Sequence, residues 1–176
     1  HDMQRVLGHA AVQNAVRRMG DFVLTSCAAN ALQPYKQNDN GWDQGQVFFT
    51  PSQVWGMPPY YAQQMASAHH EPLLVASATD GAGEELDVTA TRSPEGSRVV
   101  LHIVNTGAEP LRAALCVTGM ERVSAARMVS LSGDLIAANS PEQPERIVPV
   151  ERKLPAKAAQ TLELEPWSYT IVVLDK

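Results

Sequence analysis

The hydrophobic pattern changes once along the chain, near residue 72. Before that point apolar positions recur at intervals of three and four. After it they alternate, or run in short blocks between turn-forming residues. "HDMQRVLGHAAVQNAVRRMGD" reads as an amphipathic helix, with Met3, Val6, Leu7, Ala10, Val16 and Met19 recurring at helical spacing. Asp2 is placed to cap its start and Gly20 to end it. Ala11 and Val12 widen the apolar stripe, as suits a helix lying against a sheet. Next comes "FVLTSCAAN", residues 22–30, a near-continuous apolar run that predicts a buried parallel strand. "QPYKQNDNGWDQGQ" has Pro, Gly and Asn at turn density. "TPSQVW" offers Thr50 as an N-cap with Pro51 as the first helical residue. "PPYYAQQMASAHH" predicts a helix opened by Pro59 and ended near His70. Helix, strand, loop, helix is the local grammar of an α/β barrel or a doubly wound sheet, and one strand makes only its tail.

Beyond Pro72 the expected strands are "LLVASAT", "ELDVTATR", "RVVLHIVNT", "LRAALCVT", "VSAARMVS", "RIVPVE", "TLELE" and "SYTIVVLD". Short strands punctuated by Gly, Pro, Asn and Ser predict an antiparallel sandwich. "SRVVLHIVNTGAEPLRAALCV" reads as its clearest hairpin. Within it Val100, His102 and Val104 alternate with Val99, Leu101 and Ile103, so both faces are apolar in part. The expected fold is therefore mainly β: an antiparallel sandwich, preceded by a helix–strand–helix unit.

Aromatic residues sharpen the seam. Residues 1–72 hold eight of the ten, and six of those fall in "NDNGWDQGQVFFTPSQVWGMPPYY", residues 38–61. Amides, acids and glycines among flat apolar rings make this stretch the candidate for a sugar site. Trp42, beside Asn38, Asp39 and Asn40, could face a polar ligand, while Phe48, Phe49 and Trp55 read as core. The packed loop of a barrel is the competing reading of the same stretch.

Charge and composition remove several classes. A net charge of −5 argues against a nucleic-acid or anionic-membrane partner. No apolar run approaches the roughly 18 residues that a membrane span needs, and no secretory leader is visible. The chain opens on His1 rather than Met, as an excised fragment or processed product would, so its compartment is open, with the cytoplasm slightly favoured. Cys27 and Cys116 are too few for a disulfide scaffold and fit no zinc spacing; both are expected to be buried free thiols. The histidines, His1, His9, His69, His70 and His102, show no metal-ligand spacing, and no metal or cofactor is expected. His69 and His70 suit a helix C-terminus.

A retaining glycosidase needs two carboxyls about 5–5.5 Å apart. Residues 1–72 offer only Asp2, Asp21, Asp39, Asp43 and Glu71, none paired at the end of a predicted strand. The fourteen acids of the second half sit at turns and on strand faces, as Glu84 and Glu85 do.

The words "NDNGWDQG", "PSQVW" and "PPYYAQQM" nevertheless carry a resemblance. They are similar to the segment that closes the catalytic barrel in family-51 α-L-arabinofuranosidases. The remainder, ending "LELEPWSYTIVVLDK", resembles that family's C-terminal sandwich. The resemblance implies that residues 1–72 are the last helix–strand–helix of a (β/α)8 barrel and residues 73–176 a jelly-roll-like sandwich. It implies a retaining enzyme that releases terminal arabinofuranosyl units from hemicellulose or arabino-oligosaccharides. Its two catalytic glutamates would lie on earlier strands, in a missing N-terminal barrel, and this chain alone would be inactive. The family uses a side chain at the end of this strand to bind the arabinosyl ring. Asn30 stands nearest that place, with Trp42 as a wall; the resemblance makes these two the substrate-binding candidates. A barrel cut at this point leaves an open edge, so a homo-oligomer is expected. The competing class is a stand-alone carbohydrate-binding or interaction module. Sugar-binding sandwich faces present exposed rings, and no Phe, Tyr or Trp occurs between Ala62 and Pro166.

Overall fold

The computed structural model describes residues 1–37 and 43–176. Helix α1 spans Met3–Arg18 and helix α2 spans Pro58–Ala68. Between them lie three short strands: β1 (Leu32–Pro34), β2 (Val47–Thr50) and β3 (Gln53–Gly56). Eight more follow α2: β4 (Leu73–Val75), β5 (Leu86–Arg92), β6 (Arg98–Asn105), β7 (Leu111–Cys116), β8 (Ala125–Ser132), β9 (Val150–Leu154), β10 (Ala159–Leu164) and β11 (Ser168–Asp175).

Those eight form a mainly antiparallel β-sandwich. Six make one sheet in the order β4-β5-β6-β11-β8-β9, and β10 pairs with β7 in the second. The large sheet is covered on both faces. Val100, Val104, Tyr169, Ile171 and Val173 meet Met3, Val6, Leu7 and Ala10 of α1 and Ala62, Met65 and Ala66 of α2 in one cluster. Val99, Leu101, Ile103, Val172 and Leu174 meet Leu162 and Leu164 of β10 in another. This explains why "RVVLHIVN" and "SYTIVVL" are apolar on alternate and intervening positions alike: central strands with two buried faces lose the in-out alternation.

Helix α1 starts as the sequence predicts, and α2 starts at Pro58, one residue ahead of the expected Pro59. Asp2 caps α1 by accepting a hydrogen bond from the Arg5 N–H at 3.2 Å. Pro58 opens α2, and the His69 ring nitrogen stands 2.8 Å from the Met65 carbonyl at its end. The extra width of the α1 stripe is not used, and Val12 lies exposed.

Five expectations need correction. Residues 23–29 form no strand; the chain runs irregular and largely exposed, with Leu24 93% accessible. A buried strand needs neighbours on both sides to bond its N–H and C=O groups, and none of the described strands lies beside this run. "TPSQVW" starts no helix: Thr50 ends β2, Pro51 and Ser52 turn the chain, and Gln53–Gly56 returns as β3. Thr-Pro-Ser serves a turn as readily as an N-cap. The expected β6–β7 hairpin does not close. β6 pairs with β5 and β11, while β7 crosses to the second sheet and pairs with β10. "LLVASAT" shortens to Leu73–Val75, and "RIVPVE" gives strand only from Val150. Finally, Cys27 and Cys116 are free but exposed, one on the unpaired run and one at the end of β7.

Candidate functional site

Strands β1, β2 and β3 form a small sheet, β1 parallel to β2 and β2 antiparallel to β3. On it Gln33, Phe48 and Trp55 stand in register. Phe48 and Trp55 are buried with rings 6.2 Å apart, and Tyr35 meets Trp55 edge-on at 5.3 Å. These rings wall a cavity of about 280 Å³ whose polar lining comes from His1, Gln33, Lys36, Gln37, Asp43 and Asn139.

Gln33 organises that lining and is only 4% exposed. Its Oε1 accepts from the Gln44 N–H at 3.1 Å and the Gly45 N–H at 2.7 Å. Its Nε2 donates to Asp43 Oδ1 at 2.9 Å. Gly45 approaches so closely that a Cβ there would overlap Gln33. The same Asp43 oxygen lies 2.8 Å from His1 Nε2. Arg5 donates to His1 Nδ1 at 3.3 Å, which fixes that nitrogen as the acceptor and leaves Nε2 to donate to Asp43. Arg5, His1, Asp43 and Gln33 thus make one chain of polar contacts beside an aromatic wall.

This lining can bind hydroxyl groups and stack against an apolar ring face. It holds a single carboxylate, Asp43, so it supplies no acid and nucleophile pair of the kind glycoside hydrolysis uses. Among the described residues no group of three or more His, Cys, Asp or Glu is arranged for a metal ion. A larger cavity of about 620 Å³ lies between the sandwich sheets, and most of its lining is aliphatic, including Val88, Leu101, Leu115 and Leu164.

Of the two candidates from the sequence, Asn30 lies on exposed chain ahead of β1, where its carbonyl accepts from the Gln46 N–H at 3.2 Å. It does not line the cavity. Trp42, with Asn38, Asp39 and Asn40, lies outside the described residues. Gln33, Asp43 and His1 were not singled out by sequence reading, although Asp43 stands inside the aromatic-rich stretch. Asn139 is some hundred residues away in sequence and gave no signal.

The chain matches the family model described as the alpha-L-arabinofuranosidase C-terminal domain over residues 1–168. It belongs to that family. No curated protein matches it. Among solved structures it is similar to the arabinose-bound MgGH51 α-L-arabinofuranosidase, with a TM-score of 0.89 and 22% identity over 99% of this chain and 28% of that one. It is similar to the Thermotoga maritima α-L-arabinofuranosidase in its arabinose complex, with a TM-score of 0.86 and 18% identity over 100% and 39%. It is also similar to the GH51 enzyme of Thermotoga petrophila RKU-1, with a TM-score of 0.83 and 17% identity over 99% and 39%. At these identities the likeness is one of fold, and the chain spans between 28% and 39% of the length of those structures.

Proposed function

We propose that this chain is the C-terminal portion of a retaining α-L-arabinofuranosidase that releases terminal arabinofuranosyl residues from hemicellulose or arabino-oligosaccharides. The family match over residues 1–168 carries the reading. In this reading residues 1–72 close a catalytic (β/α)8 barrel and residues 73–176 are its sandwich. The acid/base and the nucleophile belong to the part of the enzyme beyond this chain. The lone carboxylate in the cavity agrees with that division. Asn30 and Trp42 contact the arabinosyl ring, and Gln33 and Asp43 add hydrogen-bonding groups nearby. Bonds to sugar hydroxyls that tighten in the oxocarbenium-like state would be their contribution.

An assay with nitrophenyl α-L-arabinofuranoside tests this. The complete enzyme turns the substrate over and the 176-residue chain does not. Asn30→Ala in the complete enzyme lowers kcat/KM by roughly one to three decades, equivalent to about 1.4–4 kcal/mol. Turnover by the isolated chain would overturn the division of labour, and unchanged kinetics in Asn30→Ala would remove that residue from the site.

The exposed run around Phe22 and Leu24 supports a further part of the proposal, that the isolated chain self-associates through residues 1–72. Light scattering should report a mass above 19.1 kDa at high concentration. A clean monomer counts against it.

A further inference from the structure

We propose that the loop of residues 133–149, between β8 and β9, is a bracket that sets the geometry of the Gln33–Asp43 cavity, and that Asn139 is its positioning residue. The inference rests on that cavity being part of the sugar site. A connection of seventeen residues with no helix or strand of its own is unusually long for a sandwich. Its ends are anchored: Ala137 and Ile147 are buried in the cluster shared by the helices and the large sheet. It grips three separate parts of the site.

The first is the start of α1. The Met3 N–H donates to the Ala137 carbonyl at 3.2 Å and the Gln4 N–H to the Leu135 carbonyl at 2.9 Å. These donors are among the four that a helix start leaves without partners of its own. They fix the end of the helix that carries His1. The second is the outer edge of β3. Asn139 Nδ2 donates to the Gly56 carbonyl at 2.8 Å, and Gln53 Nε2 donates to the Pro141 carbonyl at 2.9 Å. The third is the aromatic wall, where Ala138 packs against the cluster of Phe48, Trp55 and Met57.

Asn139 joins these grips. It is 4% exposed, its Oδ1 accepts from the Ile147 N–H at 2.7 Å, and its Nδ2 also donates to the Ile147 carbonyl at 3.0 Å. One amide therefore closes the loop on itself and ties it to β3. The consequence passes across the small sheet by backbone pairing. Gly56 lies opposite Val47, Met57 donates to the Gln46 carbonyl at 2.8 Å, and β2 in turn holds β1 with Gln33 beside Phe48. Since α1 brings His1 to Asp43 from the other side, the bracket sets both walls at once. A binding group displaced by about 1 Å can cost a hundredfold in rate.

The test uses two readouts. In the 176-residue chain, hydrogen exchange follows the Gln44 and Gly45 amides, both held by Gln33. Asn139→Ala should speed their exchange at least tenfold. Asn105→Ala is the control: Asn105, the last residue of β6, is fully buried and also bridges loop backbone, bonding the Glu165 carbonyl ahead of β11 and the Gly107 N–H after β6, but it is not in the cavity lining. It should lower the melting temperature comparably and leave Gln44 and Gly45 protected. In the complete enzyme Asn139→Ala should raise KM about tenfold with a smaller change in kcat, while Asn105→Ala leaves both unchanged. Asn139→Asp keeps an acceptor for the Ile147 amide and loses the donated bonds, so it gives the same shifts if the alanine variant does not fold. Wild-type exchange at Gln44 and Gly45 in the Asn139 variants overturns the proposal, as do equal losses in Asn105→Ala. A complete enzyme with no activity on arabinofuranosides would overturn the functional reading instead, and the exchange result would still decide the bracket.

Discussion

Acid should destabilise this protein, and one buried histidine should carry much of the effect. His102 sits on β6, fully buried under the helices, with Nδ1 2.9 Å from the Tyr169 hydroxyl on β11. Its Nε2 has no hydrogen-bond partner among the described residues. Burial first, and then the positive charges of Arg17, His69 and His70, push its pKa from 6.5 down to about 2. In the unfolded chain the ring titrates near the ordinary value of about 6.5. Between those values the unfolded state binds a proton that the native state refuses, so stability falls as pH falls. From pH 7.5 to pH 5.0 the loss attributable to this group is about 2 kcal/mol, and it does not depend on the native pKa so long as that stays well below 5. For a domain of this length that is roughly 4–8 °C in Tm.

Urea unfolding followed by circular dichroism at several pH values between 5.0 and 7.5 gives the slope. His9 contributes with the same sign, because burial lowers its pKa as well. The comparison that isolates His102 is therefore wild type against His102→Gln, which cannot titrate. The variant should lose about 2 kcal/mol less over this interval. Parallel stability curves for the two proteins would refute the reasoning, since they would mean that His102 takes its proton in the native state as readily as in the unfolded one.

Two further perturbations follow from the helix that covers the sheet. Asp2→Ala removes the side-chain cap of α1 and should cost about 1 kcal/mol in the same urea assay. Asn14→Ala should cost roughly 1–3 kcal/mol, because this fully buried amide donates to Asp87 Oδ2 at 3.0 Å and to the His102 carbonyl at 3.3 Å while accepting from Arg17.

What was legible in the sequence was what local pattern determines. The N-cap at Asp2, the start of α2 to within one residue of the expected Pro59, and the long strands β5, β6, β8 and β11 all follow from periodicity and punctuation. The β6–β7 expectation failed for a physical reason. Proximity in sequence favours pairing, but a strand apolar on both faces seeks a central place between two neighbours, and β6 finds β5 and β11. The apolar run at 22–30 failed in the opposite way, because its composition describes a sheet that the described residues do not supply. The site was half legible. Asp43 lies in the stretch whose composition first drew notice, and Gln33 lies just before it. No spacing rule connects either to Asn139, which reaches Gly56 only through the tertiary path of a long loop.

The same geometry bears on what the sandwich is for. Its β7–β10 side has no aromatic platform in the sequence, so its surface offers little for a sugar ring to stack on. Its other side is spent on the helices: Val100, Val104, Tyr169, Ile171 and Val173 are buried against α1 and α2. A module built to bind saccharide by itself would leave a face free and furnish it with rings. Here one face covers the helices, and the loop after β8 reaches past them to hold the edge of the small sheet that carries Gln33, Phe48 and Trp55. Several polar side chains that the large sheet buries are bonded to other parts of this chain: Thr89 by Arg18 of α1, His102 Nδ1 by Tyr169, and Asn105 by the turns after β6 and before β11. The apolar face of the large sheet that meets α1 and α2 is thus committed to packing within this chain.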